Sequence, residues 1–328
     1  MRPVVSITMS TYNVQDYIRE SLESIINQSF KEFELICIDD ASSDDTLSIL
    51  REFEIKDERI KVIAKKSNEG LAVARNKALE LAKGKYITFL DGDDIYEETL
   101  FEKAVELAEK EQSDMVIWDY QVFYKPSELK EFALNESKLK HLEVSDKIAL
   151  LQRPAFTWVK LLNTEKAKEL NIHFPEGRTR QDIPVHWHLI IALDKISILP
   201  EKLAYYRQQP EATTSQKDRR VFDLAYVMDT TKNYLLSHNL FEKYKNEFLR
   251  QRLNLLFGMY DSIKDEFKTE ALEIINERLS DDEWQYIHSK EILRLQARWF
   301  YKSKDGDFIS LIKYQSWKLV RLLYRKFN

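Results

Sequence analysis

Short apolar runs alternate with longer amphipathic segments along the first part of the chain. The runs are rich in β-branched and aromatic side chains, which is typical of buried strands. We place strands at Val4 to Met9, Phe33 to Asp39, Ile60 to Ala64 and Tyr86 to Leu90, with a fifth beginning at Met115. Helical spacing of apolar residues predicts helices from Asp16, over Thr46 to Ile55, over Leu71 to Lys83 and over Glu97 to Lys110. This alternation predicts an α/β fold with a mostly parallel sheet, because the crossover connections are right-handed.

Polar side chains follow the predicted strands at their carboxyl ends. They are Thr11, Tyr12, Asp39, Asp40, Asp91 and Asp93. In open parallel sheets, ligands bind beyond these ends, in the crevice where the order of the strands reverses. The dinucleotide-binding pattern G-x-G-x-x-G is absent after the first strand, so an NAD-binding protein is disfavoured.

Three carboxylates, Asp91, Asp93 and Asp94, directly follow the strand Tyr86 to Leu90. Like charges at the mouth of a buried strand repel one another unless a cation lies among them. Carboxylate oxygens suit a hard metal, so we expect Mg²⁺ or Mn²⁺ here. Because Mg²⁺ is commonly held by one or two carboxylates together with substrate phosphates, a nucleotide diphosphate is the expected ligand. On pattern alone, a solvated or helix-capping acidic loop remains the alternative.

Composition limits the class of protein. The 328 residues make two domains the expectation, and the hydrophobic share of 44% is ordinary for a globular chain. A net charge of -5 argues against nucleic-acid binding. The single cysteine, Cys37, excludes an internal disulfide. We find no pattern of a signal peptide and no apolar run of roughly 18 residues, so we expect a cytoplasmic protein.

The architecture is expected to change near Pro210, the last proline. We expect a first domain over residues 1–217 and an all-helical domain over 218–328. Its helices are predicted at Val221 to Ser237, Phe241 to Lys264, Phe267 to Leu279 and Phe308 to Phe327. Residues 284–328 include ten basic and three acidic side chains, a net charge of +7. Three interpretations stay open: this tail binds a protein acceptor or joins subunits, rests on an anionic membrane beside a lipid-linked glycan, or covers the sheet domain.

Five motifs in the first half occur in a specific order and spacing. They are VSITMSTYN, SLESIINQSF, FELICIDDASSDDT, NEGLAVARNKAL and YITFLDGDDIY. Together they resemble the N-terminal half of family 2 inverting glycosyltransferases with the GT-A fold, and a weaker resemblance continues to about residue 215. It implies a nucleotide-sugar-binding half over 1–120 and an acceptor half over 121–217. It also implies an enzyme that uses Mn²⁺ or Mg²⁺ to move a hexose from a UDP-sugar to a hydroxyl of a growing glycan or glycoprotein.

The resemblance implies donor-site roles for residues at the strand ends. Tyr12 would lie against the base, and Asp40 would accept the imide proton of uracil. Asp91 would touch the ribose or sugar, and Asp93 would bind the metal that bridges the diphosphate. The implied donor-binding set is Thr11, Tyr12, Asp40, Asn68, Arg75, Asp91 and Arg207.

Each of these roles has a structural alternative. Tyr12 can be a loop aromatic that packs on a neighbour, and Arg75 can be a surface residue. Asp40 can be a helix cap, but Asp44 offers another cap nearby, so we expect Asp40 to be free to bind the donor. Asp94 can cap the following helix or brace the site.

The acceptor side is expected from WVKLLNTEKAKELNIHFPEGRTRQDIPVHWHL. Relatives carry a Trp-x-Lys-Leu run, then Phe-Pro-Glu-Gly, then an acidic pair closed by an Asp at a helix start, which Asp182 matches. Asp182 is therefore the predicted general base, since inversion needs a carboxylate on the acceptor side of the anomeric carbon. Gln181 replaces the first acid of the pair. From the residues alone, a helix cap ahead of Ile183 and Pro184 is the preferred interpretation of Asp182.

Arg207 would meet the diphosphate, and Thr213 to Ser215 would close over it as a lid, with a mobile surface loop as the alternative. A non-catalytic glycan- or nucleotide-binding module is the competing function, and Gln181 is its one hint. A nucleotidyltransferase is disfavoured because STYNVQDY is not the Gly- and Lys-rich loop usual in that class. The expected partners are a UDP-sugar, a glycan, glycoprotein or lipid-linked acceptor, a second subunit through the C-terminal helices, and the inner face of the membrane, but no nucleic acid.

Overall fold

The structure is a computed structural model with two compact units, Met1–Thr214 and Ser215–Asn328. It describes residues 2–125, 128–129, 137–209, 217–289, 293, 295–304 and 306–327, with the backbone alone at 288–289 and 322–327. The predicted lid, Thr213 to Ser215, lies outside the described residues. Within the described part of the chain, no helix is both long and apolar enough to span a bilayer.

The first unit alternates strands and helices. Its strands are β1 Val5–Thr11, β2 Phe33–Asp39, β3 Ile60–Ala64, β4 Tyr86–Asp91, β5 Ile95–Tyr96, β6 Met115–Phe123, β7 Lys160–Asn163 and β8 Ile196–Arg207. Its helices are α1 Ile18–Ile26, α2 Thr46–Lys56, α3 Leu71–Leu81, α4 Leu100–Glu111, α5 Lys147–Leu151, α6 Thr164–Glu169 and α7 Asp182–Ala192. The elements predicted for the first half are confirmed, and the short strand β5 was not predicted.

The strands of the described residues form one sheet in the order β3-β2-β1-β4-β7-β6-β8-β5. β1 pairs in parallel with both β2 and β4, so the order of the strands reverses beside β1. β2–β3 and β6–β8 are also parallel, whereas β7 and β5 pair in antiparallel fashion. The register aligns Thr11 with Asp39 and Ser10 with Asp91. The polar strand ends therefore meet at the point where parallel sheets bind ligands, as predicted.

A close backbone contact sets the position of β4 against β1. A Cβ atom on Gly84 would lie 2.5 Å from the backbone nitrogen of Ser6, a distance that no side chain permits. The Gly84 N–H donates to Ser6 Oγ at 2.8 Å. Glycine is required here because the turn into β4 passes directly over β1, and this turn places Asp91 at the sheet edge.

The second unit is helical in its described residues. Its helices are α8 Asp223–Ser237, α9 Phe241–Ser262, α10 Lys268–Arg278, α11 Asp281–Ser289, α12 Leu295–Lys304 and α13 Phe308–Phe327. A buried cation helps to fix them: Arg252 pairs with Asp229 at 2.7 Å and with Glu283 at 3.0 Å. The helices predicted from apolar spacing are confirmed within a few residues.

Candidate active site

Arg75 joins two carboxylates that come from distant parts of the first unit. Its side chain extends from α3 and is 2% exposed. Nη2 donates to Asp91 Oδ1 at 2.9 Å, and Nη1 donates to Asp182 Oδ1. The guanidinium also lies over the ring of Phe174, 5.5 Å from its centroid. One buried cation therefore holds the end of β4 beside the start of α7.

Burial dominates the electrostatics of this cluster. It raises the pKa of Asp91 to about 6; Arg75 opposes the rise, and the charges of Asp93 and Asp182 add to it. Burial alone would lower the pKa of Arg75, but attraction to Asp182 and Asp91 raises it. Arg75 is therefore a permanent positive charge between two acids.

The loop after β4 carries two further carboxylates, Asp93 and Asp94. Asp94 Oδ1 accepts the backbone N–H of Arg207 at 2.8 Å, whereas its buried Oδ2 has no hydrogen-bond partner in the described residues. Asp93 Oδ2 accepts a hydrogen bond from the Gln209 side chain. Burial raises the pKa of both carboxyl groups, and for Asp94 the charges of Asp93 and Asp91 raise it further. Of the two roles expected for Asp94, the structure favours bracing the site.

Arg207 holds this loop in place. Its Nε donates to the Asp93 carbonyl oxygen at 2.8 Å, and its Nη2 donates to Glu20 at 2.6 Å. The guanidinium lies over the rings of Phe123 and Tyr17, at 4.6 and 5.0 Å from their centroids. Through these two hydrogen bonds and two ring contacts, Arg207 braces the acidic loop.

Two neighbours fix the backbone around Asp91. The Tyr96 hydroxyl accepts the Asp91 N–H at 3.0 Å and donates to its carbonyl oxygen at 3.2 Å. A Cβ atom on Gly92 would lie 2.9 Å from Thr11 Cγ2 and 3.0 Å from Ile18 Cδ1. A side chain at residue 92 would press on Thr11 of β1 and Ile18 of α1, so glycine lets the acidic loop approach them this closely.

The ends of β1 and β2 form the other part of the site. Thr11 is buried, and Tyr12 is 49% exposed, so its ring offers an open face. Asp40 is buried; it accepts hydrogen bonds from Lys65 Nζ at 2.7 Å and from the two backbone N–H groups that precede α3, at 3.0 and 2.7 Å. Asn68 is exposed in the same loop.

The expectation that Asp40 would be free is wrong in one respect. Asp44 does accept the N–H of Thr46 at the start of α2, at 3.0 Å. Asp40, however, binds the start of the next helix, α3, because β2 ends beside it. Each carboxylate oxygen can accept more than one hydrogen bond, so this contact leaves Asp40 further capacity.

Asn76 connects α3 to the Phe-Pro-Glu-Gly segment. Its side-chain oxygen accepts the Phe174 N–H at 2.8 Å, and its amide nitrogen donates to the Phe174 carbonyl at 3.0 Å. The Phe174 ring meets Phe89 edge-on, with centroids 5.1 Å apart. This clamp places Phe174 under Arg75.

Asp182 is the first residue of α7, and the cap position before it is Gln181. The cap interpretation of Asp182 is therefore wrong, because its carboxylate contacts Arg75 from within the first turn, where the helix dipole favours negative charge. Gln181 is 3% exposed. A second carboxylate at this buried position would be costly, so the neutral amide suits it.

Lys160 is a second buried basic residue near the cluster. Its ammonium group donates to the Phe156 carbonyl oxygen. Burial lowers the pKa of Lys160 to about 7; Asp182 opposes the shift and Arg75 adds to it. Burial, together with the charge of Lys160, also holds the pKa of His186 well below its usual range, so His186 is uncharged.

The structure thus brings together Arg75, Asp91 and Asp182, with Asp93 and Asp94 in the adjoining loop. Sequence reasoning missed Glu20, Asn76, Tyr96 and Lys160 as supporting residues. Asn76, Tyr96 and Lys160 lie inside quoted motifs, but their roles depend on contacts with residues far away in the chain. The Glu20 contact with Arg207 leaves no pattern in the sequence.

A divalent cation suits the donor set at this loop. Carboxylate oxygens are hard ligands. Burial raises the pKa of Asp91, Asp93 and Asp94, which a bound cation would offset. One buried oxygen of Asp94 has no hydrogen-bond partner among the described residues. No group of three or more acidic, histidine or cysteine side chains in the described residues is arranged to hold a metal unaided. The residues therefore fit a metal that takes one or two ligands from the protein and others from a bound diphosphate.

The parallel strands β3-β2-β1-β4, the acidic loop at the strand-order reversal and the carboxylate at the start of α7 define a GT-A nucleotide-sugar transferase. The model of the family "Glycosyl transferase family 2" matches residues 6–172, more than half of the chain. The protein belongs to this family and is a glycosyltransferase.

A named relative is similar to the first part of the chain. TuaG of Bacillus subtilis (strain 168), whose name assigns it provisionally as a teichuronic acid biosynthesis glycosyltransferase, is 46% identical over 105 residues. That match covers 32% of this chain and 42% of TuaG, so less than two thirds of the relative's length is spanned.

Two solved structures share the fold. S. aureus TarS 1-349 in complex with UDP-GlcNAc aligns with a TM-score of 0.75 at 22% identity, over 96% of this chain and 91% of that chain. The mannosyltransferase PcManGT from Pyrobaculum calidifontis, in complex with GDP-Man and Mn²⁺, aligns with a TM-score of 0.54 at 16% identity, over 96% and 88%. At these identities the likeness shows the GT-A fold alone.

Proposed function

We propose that this glycosyltransferase moves a hexose, with inversion, from a UDP-sugar to a hydroxyl group of a growing glycan or glycoprotein. The sugar is glucose, galactose or an N-acetyl form of these. The observation that carries the proposal is the pair of contacts from Arg75 to Asp91 and Asp182. They join a carboxylate of the donor half, residues 1–120, to a carboxylate of the acceptor half, residues 121–217.

The uracil ring of the UDP-sugar binds at the ends of β1 and β2. The half-exposed ring of Tyr12 offers a face for uracil, and Asp40 has remaining acceptor capacity for the imide N–H. Thr11 and the exposed Asn68 border the same crevice. The UDP-GlcNAc bound to TarS, which shares the fold, supports a uridine donor.

The diphosphate lies over the acidic loop, with Asp91 near the ribose or sugar and Asp93 as the metal ligand. When bound, Mn²⁺ or Mg²⁺ neutralises the charge that develops on the leaving diphosphate. Arg207 orients Asp93 through its carbonyl oxygen, and this contact supports a positioning role more than a direct contact with phosphate. The Mn²⁺ in PcManGT supports a metal in this fold.

Asp182 acts as the general base. It takes the proton from the acceptor hydroxyl while that oxygen bonds to the anomeric carbon, and the bond from this carbon to the diphosphate oxygen breaks. Arg75 orients the carboxylate and keeps it on the acceptor side of the sugar. The teichuronic acid assignment of TuaG supports a glycan acceptor.

The test is release of UDP from UDP-glucose, UDP-galactose and their N-acetyl forms, with GDP-mannose as the comparison donor. We expect one UDP-sugar to be consumed, with activity lost in EDTA and restored by Mn²⁺. Asp93→Ala should abolish release, whereas the exposed Asp16→Ala should not change it. Consumption of GDP-mannose alone, or release that survives both EDTA and Asp93→Ala, would contradict the proposal.

A further inference from the structure

Helix α13 exposes an apolar face that the fold of the second unit does not use. Phe308, Ile309, Ile312, Leu319 and Val320 are between 50% and 69% exposed. Of the large apolar side chains that are exposed in the described residues, six lie on this one helix and eight are scattered over the rest. Scattered exposed side chains are normal, but several on one face of a helix mark a surface that contacts something apolar. The exposed polar residues Gln315 and Ser316 divide this apolar row into two parts.

The opposite face of α13 is the one that packs against the unit. Ser310 and Tyr314 are buried, and the Tyr314 and Trp317 rings lie 6.3 and 6.2 Å from that of Phe257 on α9. Arg321 Nη1 donates to Asp261 at the end of α9. At about 100° per residue these positions fall on one side of the helix, and the exposed apolar row falls on the other. The helix is therefore fixed in place with its apolar row turned outward.

Positive charge borders the exposed row. α13 carries five basic residues and no acidic residue, in a chain whose net charge is -5. Lys313 and Lys318 are both exposed, and their positions on the helix lie on either side of the row. Lysine side chains have long apolar stems that let the helix sink while the ammonium groups reach lipid phosphates.

We propose that α13 lies on the surface of an anionic lipid bilayer, with its apolar row in the interface and Lys313 and Lys318 against the headgroups. The charge pattern argues against a second copy of the chain as the occupant. Two α13 faces packed together would bring Lys313 and Lys318 of one copy close to the same lysines of the other. A helix with an exposed apolar row and flanking lysines suits a negatively charged lipid surface. This inference does not rest on the proposed reaction.

The test measures partition of the full-length protein onto vesicles by sedimentation. We expect binding to vesicles of three parts phosphatidylcholine and one part phosphatidylglycerol, little binding to phosphatidylcholine alone, and weaker binding as salt is raised. Lys313→Gln/Lys318→Gln should weaken partition roughly 30-fold, since each lysine near an anionic surface contributes about a factor of five.

An apolar variant tests the row itself. Ile312→Gln/Leu319→Gln should weaken partition at least about tenfold without lowering the melting temperature, because both side chains are exposed. The matched control is Ile55→Gln/Leu236→Gln, which removes two exposed apolar side chains elsewhere and should leave partition unchanged. Equal partition of Ile312→Gln/Leu319→Gln and Ile55→Gln/Leu236→Gln would overturn the proposal. Equal binding of the wild type to neutral and anionic vesicles would also overturn it. A self-associated wild type that Ile312→Gln/Leu319→Gln converts to monomer in light scattering, without vesicle binding, would assign the row to a second copy instead.

Discussion

Replacing Arg75 with methionine removes the cation that holds Asp91 and Asp182 together. Methionine keeps much of the side-chain volume, so the change isolates the charge and its hydrogen bonds. Removing one partner of a buried ion pair costs about 3–5 kcal/mol. The two carboxylates keep 28% and 21% of their side-chain surface in contact with solvent, so we expect the lower end, about 3 kcal/mol. For a unit of this size that corresponds to a fall in melting temperature of roughly 6–12 °C.

The effect on sugar transfer should be larger than the loss of stability suggests. Without Arg75 the Asp182 carboxylate loses its fixed position, and a displacement of about 1 Å in a catalytic group costs on the order of 100-fold in rate. Melting by circular dichroism and transfer assayed well below the melting temperature separate the two effects. The control is Arg19→Met, since Arg19 pairs with Glu52 at 2.8 Å on the solvent-exposed surface, where an ion pair adds little to stability.

A double variant separates the lost contact from the cost of the unpaired Asp182 charge. In Arg75→Met/Asp182→Asn the uncompensated Asp182 charge is also gone, so the loss of stability should be smaller than the sum of the single losses, by about 1 kcal/mol or more. An Arg75→Met protein that melts within about 1 °C of wild type, or single losses that simply add, would refute the assigned role of Arg75.

The remaining predictions concern the loop geometry and Lys160. Gly92→Ala should lower metal-dependent UDP release by roughly 10-fold or more, because a Cβ atom there would push the acidic loop away from Thr11 and Ile18. The control is Gly258→Ala, where no atom lies within 4 Å of the added Cβ. Equal activity of the two variants would contradict the prediction. Lys160 has a pKa of about 7 when folded and 10.5 as its ordinary value, so between these pH values the unfolded chain binds more protons and the free energy of unfolding rises with pH. In urea denaturation, Lys160→Met should therefore reduce that rise by up to roughly 1.4 kcal/mol per pH unit, whereas the exposed Lys77→Met should not; identical slopes for wild type and Lys160→Met would show that Lys160 stays charged.

The elements of the fold could be predicted because their patterns are local. The spacing of apolar residues, together with the polar residues at strand ends, predicted β1 to β4 and the helices between them. The absence of proline after Pro210 indicated a change to helical structure. The two-residue strand β5 was missed because it is too short to show a period, and it pairs with β8 more than a hundred residues later.

The residues of the site could be predicted as candidates, but their arrangement could not. Asp182 looked like a helix cap until the structure showed it bound to Arg75, which comes from a helix in the other half of the unit. Asp40 looked free because the nearer helix had its own cap. In both cases the deciding partner is distant in sequence and close only in the folded sheet.

The central claim is that Asp182 acts as the general base, and the most direct test measures sugar transfer by Asp182→Asn together with its affinity for UDP. Asparagine can still accept a hydrogen bond from Arg75 but cannot take a proton. We predict that transfer falls by about 100-fold or more while the dissociation constant for UDP, measured by calorimetry with Mn²⁺, stays within a few-fold of wild type. Normal transfer by this variant would contradict the central claim, and so would loss of UDP binding in proportion to transfer.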